Sequence, residues 1–218
     1  MALRQHRLKL VVAYSTVAQV GYLFLIFPLV PTDGSAPEAA VRAGWTGVLT
    51  LALAHGVAKG AMFLAAGALA AGHGTDRLDG LRGAGARQPL SVAAFALAGI
   101  SLAGLPPSLG FTGKFLVLQS STGSGQWWWA IPLVGGGLLA AAYVARVVRV
   151  TIGGAGSEGT DPVAAGPRTT ALGGVVVPRY REVPALVLAV LAIALGLVGT
   201  TVTDLVEPAL PVPAGAVP

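Results

Sequence analysis

The sequence predicts an all-α integral membrane protein with about five transmembrane helices, the third of them broken at Pro106-Pro107. Hydrophobic residues make up 54% of the chain and charged residues only 11%, whereas a soluble domain carries about 25% charged residues. Five apolar runs reach the length of about 20 residues that a helix needs to cross a bilayer. None of these runs alternates as the strands of a membrane β-barrel do, which favours helices.

The expected spans, in chain order, are 10–30, 44–72, 89–119, 127–150 and 183–203. The second run is long for a single crossing, so we expect it to be tilted or distorted. The third run is interrupted, because Pro106 and Pro107 lack backbone donors and Gly110 and Gly113 weaken a helix. An alternative interpretation places a loop here between two separate short spans, which would invert the topology of everything downstream.

The distribution of basic residues predicts the orientation of the chain. With a cytoplasmic N-terminus, eleven basic residues fall in inside segments and only Arg42 falls outside, in agreement with the positive-inside rule. We therefore expect a multi-pass protein of the cell membrane with its C-terminus outside. The predicted parts are a cytoplasmic N-terminus at 1–9, a helical membrane domain at 10–205 with a flexible cytoplasmic loop at 153–174, and a disordered tail at 206–218. All nine acidic residues are expected to lie outside the spans, with Glu182 in a cytoplasmic segment.

Lys59 lies near the middle of the second span among apolar neighbours. A lysine at this depth costs about 2.5–3.5 kcal/mol on insertion scales, so it indicates a function. His55 is four residues earlier and therefore shares a helix face with Lys59. A histidine titrates near neutral pH and loss of water disfavours a charged lysine, so the pair could pass a proton. The alternative is a pair that only hydrogen-bonds neighbouring helices.

Lys114 follows the predicted break within one helical turn. Broken helices occur at membrane depth only where they are buried in protein or line a wet cavity, and in transporters they often mark an ion site. Lys114 is therefore a candidate for contact with freed backbone carbonyls or water.

In the first span, Tyr14, Ser15 and Gln19 interrupt an apolar run, either as a polar path or as packing contacts. We expect no cofactor, no metal site and no nucleic-acid partner, because the sequence contains no cysteine and no recognisable ligand or phosphate motif.

Three ordered motifs resemble one known family. Residues 9–22 resemble a helix opening K-x-x-x-A-Y-S-[ST] followed by Q/H-x-G-Y, residues 55–63 resemble H-x-x-x-K-x-x-x-F, and residues 104–115 resemble G-x-P-P-x-x-G-F-x-x-K. The family is that of the antiporter-like membrane subunits shared by respiratory complex I and the Mrp-type cation/proton antiporters. The resemblance covers about residues 9–149 and corresponds only to the later part of such a subunit. We therefore expect either that a second chain supplies the remainder or that this is a truncated remnant.

The resemblance implies roles for the candidate residues. Lys114 matches the lysine on the broken helix that gates the proton path toward one side. His55 and Lys59 match a central hydrophilic axis, and Tyr14, Ser15 and Gln19 match polar positions of the preceding helix. The expected function is proton or cation/proton translocation within a multisubunit respiratory or antiporter complex. The expected partners are other membrane subunits, the lipid bilayer, protons and either Na⁺ or K⁺.

Redox chemistry is not expected in this chain, and any NADH or quinone chemistry of an oxidoreductase-like translocase would lie in partner subunits. Two alternatives remain open at this point. One is a non-conducting helical scaffold whose lysines are idle, and the other is a small free-standing transporter.

Overall fold

Nine α-helices form the described part of the chain, which comprises residues 1–31, 35–153 and 178–206 of a computed structural model. Over these residues the only extended pairing is an isolated bridge between Arg7 and Arg77. The predicted loop 153–174 and tail 206–218 lie, apart from their first residues, outside the described part. The helices are α1 (Leu8–Leu23), α2 (Ile26–Leu29), α3 (Glu38–His73), α4 (Ala84–Arg87), α5 (Pro89–Ala103), α6 (Leu109–Gly123), α7 (Ala130–Ile152), α8 (Val183–Leu197) and α9 (Gly199–Val206).

Four helical stretches of the described chain are long and apolar enough to cross a membrane. They are Leu8–Leu29, Glu38–His73, Trp127–Ile152 and Arg179–Leu197. The remaining predicted crossing, the third, consists of the two 15-residue helices α5 and α6. The all-α membrane fold predicted from the sequence is thereby confirmed.

Helices α5 and α6 follow one another along α3 rather than folding back on each other. Near the start of α5, Gln88 Nε2 donates to the Ala68 carbonyl in the second half of α3, at 2.9 Å. Along α6, the backbone nitrogen of Val117 lies 2.8 Å from the position that a Cβ at Gly47 would occupy, in the first half of α3. The two short helices therefore run in the same direction, antiparallel to α3, and form one broken crossing.

Local sequence explains the position of the break. Gly104 ends α5 in a left-handed conformation with φ of +78°, which a glycine adopts without steric strain. Pro106 and Pro107 cannot continue a helical hydrogen-bond ladder. Ser108 then starts α6, because its Oγ accepts a hydrogen bond from the Phe111 backbone N–H at 3.3 Å. The last carbonyls of α5 are consequently left without helical partners.

Contacts between connecting segments define two ends of the bundle. At one end, Arg7 pairs with Asp76 at 3.2 Å, and Arg146 Nη1 donates to the Gln5 carbonyl at 3.1 Å. At the other end, Gln126 Nε2 donates to the Pro28 carbonyl at 2.7 Å. Among the described residues, every lysine and arginine lies in a segment or helix end at the first end, except Arg42, Lys59 and Lys114. That this end faces the cytoplasm stays a prediction.

Two of the predicted spans are less regular than expected. The first is interrupted between α1 and α2, because Pro28 cannot donate to the Phe24 carbonyl and the turn tightens there, with a bond from Phe27 N to Phe24 O of 3.2 Å. The fifth is interrupted at Val198, between α8 and α9. Gly196 and Gly199 flank that interruption, and glycine is a weak helix former.

Candidate functional site

Lys59 is buried between α3 and α1, with 7% of its surface exposed. Its Nζ donates to the Val12 carbonyl at 2.7 Å and forms a short contact with Ser15 Oγ. Ser15 Oγ itself donates to the same Val12 carbonyl at 2.8 Å, so its lone pairs are directed at the lysine. The amino group thus has two neutral oxygen partners on the preceding helix. It forms no ion pair with any acidic residue of the described part.

Lys114 occupies the second turn of α6 and is equally buried, with 8% of its surface exposed. Its side chain reaches back across the break, where Nζ donates to the carbonyls of Ala103 at 2.8 Å and Leu102 at 3.3 Å. These are carbonyls at the C-terminal end of α5, where the helix dipole is negative. The ring of Tyr22 lies 5.3 Å from Nζ, within the range of a cation–π contact. The helix break therefore binds the amino group of Lys114 through backbone carbonyls and an aromatic ring, without a carboxylate.

The two lysine sites are joined through α1. Gln19 Nε2 donates to the Leu102 carbonyl at 2.9 Å, and this oxygen also accepts from Lys114. Gln19 lies one helical turn after Ser15, a rise of about 6 Å along the helix axis. Ser15 is 1% exposed and Gln19 is 4% exposed, so both are shielded by protein. The structure thus brings four of the predicted site residues into one buried polar row.

The other two predicted residues, His55 and Tyr14, are not hydrogen-bonded into this row. His55 is half-buried one turn before Lys59, and its Nδ1 has no hydrogen-bond partner in the described chain. Tyr14 is 41% exposed and borders a cavity of about 380 Å³ between α1 and α7. Ser15 and Gln19 border the same cavity.

Sequence reasoning missed two tyrosines at the site. Tyr143 on α7 is 6% exposed and lines this cavity, and its hydroxyl has no hydrogen-bond partner among the described residues. Tyr22 contacts Lys114 and donates to the Pro132 carbonyl at 3.3 Å. The spacing of Ser15, Gln19 and Tyr22 by four and three residues was the available signal for Tyr22, since it places all three on one face of α1. Tyr143 carried no such signal.

Glu182 has a feature that the sequence did not indicate. This residue directly precedes α8, as predicted, but it is only 2% exposed. Its Oε2 accepts from the backbone N–H and from the hydroxyl of Ser91, each at 2.9 Å. Because Ser91 lies in the first turn of α5, the carboxylate also faces the positive end of a helix dipole. An acidic residue is therefore buried in the helical domain, although not beside either lysine.

A bundle of apolar helices with ionisable side chains buried between them defines a class, that of polytopic membrane proteins with a polar interior. Residues 1–140 match the family model described as NADH:quinone oxidoreductase/Mrp antiporter, TM, and the chain belongs to this family. NADH-quinone oxidoreductase subunit N of Desulforudis audaxviator is 32% identical over 216 residues, which cover 97% of this chain and 40% of that protein. F(420)H(2) dehydrogenase subunit N of Methanosarcina mazei is 32% identical over 158 residues, covering 68% of this chain and 30% of that protein.

Two solved assemblies contain chains of similar structure. A chain in the Mrp complex from Dietzia sp. DQ12-45-1b superimposes with a TM-score of 0.78 at 26% identity, over 95% of this chain and 43% of that one. A chain in respiratory complex I from Thermus thermophilus with bound aureothin gives a TM-score of 0.59 at 29% identity, over 95% of this chain and 41% of that one. The chain thus spans less than half the length of each of these relatives, and the predicted family is confirmed.

Proposed function

We propose that this chain is a proton-translocating membrane subunit, or part of one, of a multisubunit cation/proton-translocating complex. In this proposal Lys59 and Lys114 accept and release protons, and Ser15 and Gln19 connect them. The observation that carries the proposal is the buried polar row from Lys59 through Ser15 and Gln19 to the Leu102 carbonyl and Lys114. Its support from relatives is at the level of the family, which includes a subunit of an NADH-quinone oxidoreductase and a chain of an Mrp complex.

The partners of the two lysines suit reversible protonation. Both amino groups donate to neutral oxygen atoms, the Val12 and Ala103 carbonyls among them. A neutral acceptor stabilises the ammonium form less than a carboxylate would, so a proton can leave without exposing an unpaired buried anion. Removal from water favours the neutral amine, whereas the carbonyls favour the ammonium. These opposing effects keep both protonation states within reach, which a relay requires.

A path for protons also needs a route between the fixed groups. Ser15 Oγ can both donate and accept, whereas the Leu102 carbonyl can only accept, so a proton cannot pass along the side chains alone. The cavity of about 380 Å³ beside Ser15, Gln19 and Tyr143 is large enough for several water molecules and has polar groups to bind them. We propose that water in this cavity completes the relay. His55, one turn from Lys59, would extend it along α3.

The remaining features of the assembly belong to the same proposal. Other membrane subunits would be its partners, since its relatives include a subunit of an oxidoreductase and a chain of an Mrp complex. The transported species would be protons, with Na⁺ or K⁺ as counter-transported ions in an antiporter setting. The membrane domain would be the latter half of an antiporter-like subunit, with the basic end of the bundle in the cytoplasm and α9 ending on the opposite side.

A scaffold function is the competing candidate, and it has an observation in its favour. The hydrogen bonds of Lys59 to Val12 and of Lys114 to Ala103 tie helices together whether or not protons move. The two candidates differ in what arginine would do at these positions. Arginine retains charge and donors but does not lose its proton at accessible pH.

The test is proton flux by the assembled complex, reconstituted in liposomes containing a pH-sensitive dye. We expect Lys114→Arg and Lys59→Arg each to reduce flux by about 10²-fold or more, which is the effect of removing an acid–base group. Lys9→Arg is the matched control, because Lys9 is exposed at the start of α1. Its flux should be unchanged.

The amount of assembled complex is measured in the same preparations, which separates loss of transport from loss of assembly. Normal flux in both arginine variants would refute a relay through these lysines and support the scaffold. Normal assembly with abolished flux would support conduction.

A further inference from the structure

A crevice between α6 and α7 opens sideways on the apolar surface of the bundle. It has a volume of about 200 Å³, and every residue that lines it is apolar or glycine except Lys114. Phe115 and Leu138 stand on its walls and are 54% and 68% exposed, respectively. In a membrane these side chains would face lipid tails. The crevice therefore leads from the hydrocarbon region to a buried amino group.

The Lys114 amino group can be reached from this crevice. A Cβ placed on Gly137, which lines the crevice, would lie 3.3 Å from Nζ. An ammonium group has three donors, and two of them are directed at the Ala103 and Leu102 carbonyls. One donor is left for a further acceptor. None of the acidic residues in the described chain contributes to the lining, so no carboxylate there compensates the ammonium form of Lys114.

We propose that this crevice binds a single-chain amphiphile with a carboxylate headgroup, a long-chain fatty acid, whose carboxylate pairs with Lys114 while its tail lies along α6 and α7. Charge complementarity selects an anion, and the single remaining donor suits one carboxylate oxygen. The apolar walls suit an alkyl chain. The proposed ligand therefore has a single carboxylate at the end of a single alkyl chain.

The depth of Lys114 distinguishes this occupant from a phospholipid. Gly137 lies seven residues into α7, about 10 Å below its start along the helix axis. A phosphodiester headgroup stays charged and would have to leave the interface to reach that depth, which is costly. A carboxylic acid can enter the hydrocarbon uncharged and then transfer its proton to Lys114 when the lysine is in its amine form. The products are a carboxylate and an ammonium, which form a pair without net charge.

Binding and proton translocation can be tested separately. The binding proposal concerns the crevice alone and holds whether or not the lysine conducts protons. Its regulatory consequence rests on the proposed function: a carboxylate on Lys114 would hold the lysine in its ammonium form, and fatty acid would inhibit flux.

The experiment uses palmitic acid with a photoreactive diazirine in its chain, added to the protein in its own membranes. Cross-linked sites are mapped by peptide mass spectrometry. We expect labelling on the crevice walls, at Phe115 and Leu138 or their immediate neighbours. Lys114→Met should reduce it about tenfold or more, as expected for loss of a charge-assisted hydrogen bond. Lys59→Met is the matched control, because Lys59 is equally buried but does not line the crevice.

A second comparison does not depend on any variant folding. The fatty alcohol with the same chain and diazirine should label the crevice of the unaltered protein about tenfold less than the acid, because it carries no charge. Equal labelling by acid and alcohol would overturn the proposal. So would equal labelling by a diazirine phosphatidylglycerol, since the crevice would then hold ordinary bilayer lipid. Retained labelling in a folded Lys114→Met protein would also overturn the proposal.

Discussion

Gln19 on α1 and Lys114 on α6 donate hydrogen bonds to the same oxygen, the carbonyl of Leu102, at 2.9 Å and 3.3 Å. This shared acceptor is the only point at which the described structure links the lysine of the broken helix to the polar face of α1 by direct hydrogen bonds. It exists because Gly104 ends α5 and because Pro106, four residues after Leu102, has no N–H to donate to that carbonyl. Three helices therefore meet at one backbone atom.

Replacement of Gln19 tests the importance of this junction. In Gln19→Leu the Leu102 carbonyl keeps Lys114 as its partner, so no buried acceptor is left unsatisfied and stability should fall by only about 1 kcal/mol. Proton flux should fall about tenfold or more, because the polar row loses the group between Ser15 and Leu102. Flux in proteoliposomes and thermal melting in detergent measure the two effects. Gln119→Leu, at an exposed position of α6, should change neither.

Ser15 is predicted to matter through Lys59. Ser15→Ala removes an acceptor from a buried amino group, which then keeps only the Val12 carbonyl among its described partners. We expect a loss of stability of about 1–3 kcal/mol, the range for a buried polar group that loses a partner. The neighbouring Thr16 donates to the same carbonyl at 3.3 Å but does not contact the lysine in the described structure. Thr16→Val should therefore be close to neutral in thermal melting, and an equal loss in both variants would contradict this account.

Gly196 is predicted to be intolerant of any side chain. A Cβ at this position would collide with the backbone of Pro107, Ser108 and Leu109, at the break itself. Gly196→Ala should therefore displace α8 from the break and destabilise the protein by about 1–3 kcal/mol, as overpacking does. Gly135→Ala is the control, since a Cβ there has no neighbour within 4 Å. The midpoint of unfolding in a denaturing detergent compares the two, and equal midpoints would show that α8 does not pack on the break as described.

Glu182 is predicted to stabilise the start of α5. Glu182→Leu leaves the buried N–H and hydroxyl of Ser91 without their acceptor and should cost about 2–4 kcal/mol. Glu182→Gln retains a carbonyl oxygen as acceptor and should cost less. By contrast, Glu38→Ala removes an exposed ion pair with Arg42 and should cost about 0.5 kcal/mol or less. In thermal melting, Glu182→Leu should therefore show the largest loss of stability, and Glu182→Gln and Glu38→Ala should show smaller losses.

Much of the fold was accessible from sequence because the bilayer imposes simple requirements. Apolar length located the crossings, and Pro106 with Pro107 located the break. Lys59 and Lys114 were conspicuous because charge is rare within apolar runs. The residues that were missed act through tertiary contacts: the Leu102 carbonyl belongs to an apolar residue, and Tyr143 resembles an interfacial aromatic. Glu182 was placed correctly along the chain, but its burial depends on how α8 packs against α5.

The interrupted first and fifth spans also could not be predicted from the sequence, because they depend on tertiary contacts. Pro28 and Gly196 are visible in the sequence, but a single proline or glycine in a membrane helix is often accommodated without a break. Whether α1 and α8 continue past them depends on neighbours that the sequence does not identify. The interruption within the third span was predictable because two prolines and three glycines coincide there.

The proline pair at the break has a thermodynamic consequence. The carbonyls that hold Lys114 have no helical donor, because the residues four positions later, Pro106 and Pro107, lack a backbone N–H. Any rearrangement that moves α6 away from the end of α5 would withdraw those acceptors from the ammonium group. Protonation of Lys114 and the close packing of the two helix ends must therefore favour one another, by the reciprocity that governs coupled equilibria. In such a molecule, mechanical work on the break and the chemical potential of the proton are interconvertible.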